Sequence, residues 1–230
     1  MTVLPTSEIC DRSVTKSTDQ CKLNLGCGPV QPSGWINVDG SNRAWLATHL
    51  GLLDRLLTSF GILSPTEFNS STKYVNLDRR FPWQDNSIAA IYIGEVLEHF
   101  TREKGSHLLV NCYRVLKPGG VLRVRVPDNA QFWANYLAEY ESVLQKPRSE
   151  RTMDHTRWIG MFFRDICVTR PWYSSMGHYH KWMYDEVSLI KTLEEQGFIQ
   201  VERRAYLDSQ IEDIDRVEVR DNLIVEAIKP

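Results

Sequence analysis

From Lys22 onward, short mostly apolar runs alternate with stretches of helical periodicity. That alternation confines the chain to a sheet of mainly parallel strands with helices on its faces. Strands are expected over 22–25, 35–38, 73–77, 88–93, 121–126, 199–206 and 223–228, giving a doubly wound, mostly parallel seven-stranded α/β sheet. Leu46, Leu50, Leu53, Leu57 and Phe60 recur at helical spacing ahead of Gly61 and predict a crossover helix of about 15 residues. Thr101 can cap a helix with Leu108, Leu109, Cys112, Val115 and Leu116 on one face, and Asp185 can cap one carrying Leu189, Ile190 and Leu193. The stretch from Gly28 to Asp39 is shorter than a dinucleotide fold needs, so the first crossover helix should be very short or missing.

Residues 131–184 break this rhythm and hold half of the chain's aromatic side chains, together with His155, His178 and His180. The segment reads as an aromatic-rich helical insertion, either a lid over a substrate or a second small core. Residues 1–20, rich in Ser, Thr and Asp without periodicity, read as a flexible arm, and 21–230 as one domain. A net charge of -2 offers no basic footprint for nucleic acid or an anionic membrane and favours a small or neutral partner. No apolar run has the length of a membrane span. The five cysteines lack both C-x-x-C pairs and metal-ligand spacing, so reduced thiols, a cytoplasmic protein and no metal centre are expected.

The chemistry starts at Leu23-Asn24-Leu25-Gly26-Cys27-Gly28, where a glycine turn after a strand lets a ligand approach the backbone and its N–H groups. A nicotinamide-binding turn needs a third glycine where Gln31 stands, and no Gly-Lys-Ser/Thr follows for a nucleoside triphosphate. Asp39 and Asp78 close successive strands at the same edge, one placed for the hydroxyls of a ribose and the other within reach of an adenine amino group. The set suits adenosine without a polyphosphate. A branched side chain at Gly26 is expected to fill the ligand's space while leaving the chain folded. Arg123 and Arg125 point the same way from one strand; Arg125, near its carboxyl end, could reach a substrate, the alternative being a snorkelling side chain paired with a local acid.

Asn24-Leu25-Gly26-Cys27-Gly28, Phe81 to Ser87, Glu95-Val96-Leu97-Glu98-His99 and Tyr113 to Gly120 resemble, in this order, the motifs of class I S-adenosylmethionine-dependent methyltransferases of the type 11 group. His180-Lys181-Trp182-Met183-Tyr184 and Leu193 to Phe198 resemble a bacterial subgroup found with surface-polysaccharide genes. The resemblance implies a Rossmann-like methyltransferase fold with S-adenosyl-L-methionine as cofactor. It puts the methionine end against Gly26, Cys27 and Gly28, the ribose on Asp39, the adenine by Leu77, Asp78 and Arg79, and Glu95 on the floor near the sulfonium. Asn24 stands where the family usually has an acid, at the cofactor's ammonium or its loop, and Ala89 where it commonly has Asp.

Methyl transfer from a sulfonium depends mainly on positioning, and a general base is needed only for a hydroxyl or a protonated nitrogen. A sugar or small hydroxylated metabolite is the expected acceptor, with His99 and His180 ranked as catalytic bases above His178 and His155. The competing readings are a scaffold that has kept the fold and lost catalysis, and a nicotinamide oxidoreductase disfavoured by Gln31.

Overall fold

The computed structural model describes residues 21–63, 68, 71–162 and 179–230. The expected arm at 1–20, the centre of the insertion at 163–178 and His178 within it lie outside the described residues. Seven strands run β1 (Lys22–Leu25), β2 (Ile36–Asp39), β3 (Lys73–Tyr74), β4 (Ile88–Gly94), β5 (Leu116–Val126), β6 (Ile199–Arg203) and β7 (Leu223–Ile228). The helices are α1 (Asn42–His49), α2 (Gly51–Ser59), α3 (Arg102–Val115), α4 (Asn129–Leu144), α5 (Thr156–Phe162) and α6 (Glu186–Glu195).

The strands form one sheet in the order β3-β2-β1-β4-β5-β7-β6, with β7 antiparallel to both neighbours. Chain order reverses between β1 and β4, and ligands bind in such sheets outside the carboxyl ends of the strands at the point of reversal. Leu23, Leu25, Ile91, Ile93, Leu122 and Val124 turn one face of the sheet into the main core, which α3 seals with Leu108, Leu109, Cys112 and Val115 and α6 with Leu189 and Leu193. Helices α3 and α6 start where their caps place them. Thr101 accepts from Lys104 N, and Asp185 and Ser188 form a reciprocal capping box.

No helix lies between β1 and β2, as the short spacing required. The loop around Asp213 covers this opposite face instead. Ile211, Ile214 and Val217 pack with Trp35, Ala90 and Tyr92 in a second, smaller core, while Asp213 takes the Lys22 ammonium and the Trp35 indole N–H.

Two expectations are corrected. The crossover helix is two helices broken at Leu50 (φ -131, ψ 45), and its apolar stripe faces largely outward, with Leu50 44%, Leu53 43% and Phe60 75% exposed. The face turned inward carries Ala44 and the buried Asp54, which pairs with Arg43 at 3.2 Å, and that ion pair holds the helices in this rotation. Strand β3 stops at Tyr74 instead of Leu77, because Asn76 starts a turn: its side chain accepts from Asp78 N and its carbonyl from Arg79 N. Cys27 and Cys112 are free and buried.

Candidate functional site

Both loops that meet at the sheet's reversal point are held in unusual backbone conformations. Gly26 (φ +69) and Gly28 (φ +47) lie in the left-handed region, and the N–H groups of Gly26 and Cys27 both donate to Val38 O, at 2.8 and 3.0 Å. A Cβ at Gly26 would lie 2.0 Å from Cγ2 of Val96, so the turn after β1 packs directly on the turn after β4. Glu95, the first residue after β4, holds φ at +55, rare for a residue with a side chain.

Asn24 is buried, and its amide donates to Val30 O at 2.7 Å and to Asn37 Oδ1 at 3.1 Å. Its side chain therefore ties down the loop that follows Gly28. Asp39 accepts from Gly28 N at 3.3 Å and from Ser41 N at 2.8 Å, which joins the glycine turn to the start of α1. The buried Cys27 thiol is pushed up to about 12, first by burial and then by the charge of Asp39, so it stays protonated at neutral pH. Asp78 receives the Lys104 ammonium on Oδ2 at 2.8 Å, while its buried Oδ1 has no hydrogen-bond partner among the described residues. Leu77 is buried beside Gly40, and Arg79 is exposed.

Two of these features test the fit of an adenosyl group. A Cβ at Gly28 would meet nothing within 4 Å, which leaves an open cradle against the backbone. The unpartnered Oδ1 of Asp78 is an acceptor waiting for a donor such as an exocyclic amine. The set is compatible with S-adenosylmethionine, which Gly26, Cys27, Gly28, Asp39, Leu77 and Asp78 would hold. Asp39→Ala is expected to weaken its binding by about 2 kcal/mol, roughly thirtyfold, through loss of charge-assisted hydrogen bonds. Calorimetry with S-adenosylhomocysteine checks this, and an unchanged affinity would remove Asp39 from the site.

Beyond β4 the structure brings His99 and His180, distant in sequence and ranked together as candidate bases, into contact. A single 3-10 turn, Leu97–His99, follows Glu95, and the Glu98 carbonyl accepts from Lys181 N at 2.7 Å and Trp182 N at 3.2 Å. His99 Nδ1 lies 3.0 Å from Tyr179 O, and because a carbonyl only accepts, the ring proton sits on Nδ1. These bonds bring His180 against His99, ring centroids 5.1 Å apart at 69°. His155, by contrast, makes tilted ring contacts with Tyr136 and Tyr140 of α4, just ahead of α5.

Glu98, directly before the candidate histidine, is fully buried, and its carboxyl is in hydrogen-bond contact with a second acid, Glu95. Burial, then the negative charge of Glu95, pushes its carboxyl well above the usual carboxylate range. The Tyr184 hydroxyl is pushed up to about 12, by burial and then by Glu98. The sequence signal available was an acid directly before the candidate histidine at a strand end. Arg125 reaches Glu95 with Nε 3.4 Å from Oε1, and Asn222 donates to the same oxygen at 3.1 Å, so Arg125 positions Glu95.

On α4 and α5, Phe132, Trp133, Tyr136, Trp158 and Phe162 make a connected set of ring contacts. This insertion leaves the carboxyl end of β5, on the same side of the sheet as the glycine turn.

Residues 23–124 match the family model described as "Methyltransferase domain". Among solved structures the chain is similar to a SAM-dependent methyltransferase from Archaeoglobus fulgidus (15% identity, 91% of this chain, 86% of that one, TM-score 0.48). It is also similar to one from Methanosarcina mazei (14% identity, 92% of each chain, TM-score 0.47). A third is a methyltransferase solved in complex with the Trm112 activator of Haloferax volcanii (13% identity, 92% of this chain, 83% of that one, TM-score 0.46).

Proposed function

We propose that this protein is an S-adenosylmethionine-dependent methyltransferase and that it methylates a hydroxyl oxygen of a sugar or another small hydroxylated molecule; the sheet order and the match over residues 23–124 support the first part. The observation that carries this reading is the meeting of His99 and His180 beyond the carboxyl end of β4, next to Glu95. When bound, S-adenosylmethionine supplies a methyl group on a positively charged sulfur, open to in-line attack. The chain's own residues position the acceptor, exclude water and take a proton. A hydroxyl must lose that proton as its oxygen becomes bonded to carbon, and an imidazole near neutrality is suited to receive it.

The aromatic set of Phe132, Trp133, Tyr136 and Trp158 supports a sugar, because flat π faces cover the apolar side of a pyranose while neighbouring polar groups meet its hydroxyls. The stretches His180–Tyr184 and Leu193–Phe198 support a place in surface-polysaccharide synthesis, and with it a cytoplasmic location. Among the described residues no helix is long and apolar enough to cross a membrane.

His99→Asn and His180→Asn are each expected to lower single-turnover methyl transfer by about a hundredfold or more, with cofactor affinity nearly unchanged. Labelling a cell extract with methyl-tritiated S-adenosylmethionine should put the label on a small hydroxylated product. Label on protein or nucleic acid, or less than a tenfold loss in both variants, would overturn the reading.

A further inference from the structure

We infer that Glu98, His99 and His180 form a binding site for a divalent metal ion, with zinc best matched to the donors. One ligand atom from each residue, a carboxylate oxygen and two imidazole nitrogens, lies within 4.8 Å of the other two. Ligands about 2.1 Å from a shared ion stand roughly 3.4 to 4.2 Å apart, so rotations moving these atoms by about an ångström close the set. Two imidazoles and one carboxylate are the protein donors of open catalytic zinc sites and also suit other first-row divalent ions.

Two independent features point to a cation. The Glu98 carboxyl is 0% exposed, and its polar contacts among the described residues are its own backbone N–H and a second acid, Glu95. A buried carboxyl group left this way is costly unless it is paired or coordinates a metal. In addition, the hydrogen bond from His99 Nδ1 to Tyr179 O fixes the tautomer that carries its lone pair on Nε2, as metal-binding histidines are commonly oriented. The backbone supports the geometry too, since Glu98 O holds Lys181 N and Trp182 N and so sets His180 over His99.

The inference rests on the proposed hydroxyl acceptor for its role, though not for its existence. Three protein donors leave a fourth position open, and an alcohol oxygen taking that position would lose its proton to solvent more readily before its bond to the methyl carbon forms. In that arrangement the two histidines act as ligands, and the ion with solvent takes over the proton removal that an imidazole performs without it.

The test uses untagged full-length protein freed of metal by chelation, titrated with zinc chloride alone in a calorimeter, and with cobalt chloride followed by visible absorption. Wild type should bind one equivalent of zinc with micromolar or tighter affinity and give the intense d–d bands of four-coordinate cobalt. Glu98→Gln, close in shape, and His180→Asn, at a partly exposed position, should each lose at least tenfold to a hundredfold in affinity while keeping the wild-type melting curve. Failure of wild type to bind either ion at millimolar concentration would overturn the site, as would equal affinity in folded variants of both residues. Neither titration needs an acceptor. A product methylated on nitrogen or carbon would refute the hydroxyl reading and leave a positive cobalt spectrum standing.

Discussion

Arg123→Ala should lower the free energy of unfolding by about 3–5 kcal/mol, measured by urea denaturation, as expected when one member of a buried ion cluster is deleted. Arg123 is 0% exposed at the middle of β5. Its Nε and Nη2 grip Glu218 at 2.9 and 2.7 Å, and Nη1 reaches Glu226, its direct partner on β7, at 3.1 Å. The remaining donors serve the carbonyls of Asp208 at 2.6 Å and Ala205 at 3.0 Å. Ser209 and the backbone N–H of Gln210 also donate to Glu226, and Leu207 N to Glu218, so the cluster is densely bonded while the arginine stays. Without it two carboxylates are buried with no cation beside them. Arg123→Lys should be intermediate, because an ammonium keeps the charge and loses the planar fork. A loss under 1 kcal/mol for the alanine variant would mean that the loop over this face relaxes and admits water.

Gly26→Val should yield protein with no cooperative thermal transition and no measurable binding of S-adenosylhomocysteine. The sequence reading had this variant folded and merely blocked. The structure corrects it, because a Cβ here would meet the buried Val96 Cγ2 at 2.0 Å, and φ of +69 is strained for any side chain. Neither the β1 turn nor the β4 turn can yield without opening the core beneath them. Gly28→Ala is the control: a Cβ there meets nothing within 4 Å, so the cost is the left-handed backbone alone, about 1–2 kcal/mol. That variant should fold and lose cofactor affinity, since its methyl occupies the cradle. A Gly26→Val protein that melts like wild type would refute the close packing of the two turns.

The sequence by itself determined what short-range rules govern. Alternating patterns set the strands, and β1 is as expected at Lys22–Leu25, where Leu23 and Leu25 recur with the period of two that turns both to the core. Thr101 and Asp185 set the helix starts, since a cap bonds within three residues. Glycines at positions of positive φ marked the turn after β1, and the short link after Gly28 ruled out a helix there.

Tertiary structure decided whatever depends on partners far along the chain. Leucine spacing in α1 and α2 could not reveal that the Arg43–Asp54 pair faces inward and the leucines outward, for periodicity gives a stripe and not the direction in which it points. The spacing of Arg123 and Arg125 put both on one face of β5. Only the antiparallel placement of β7 and the loop after β6 made one the centre of a buried ion cluster and the other the partner of Glu95. His99 and His180 were each visible as candidates. Their contact, and the enclosure of Glu98 beside them, exist because the segment at Tyr179–Trp182 hangs on the 3-10 turn by three backbone-directed hydrogen bonds, which no local pattern encodes.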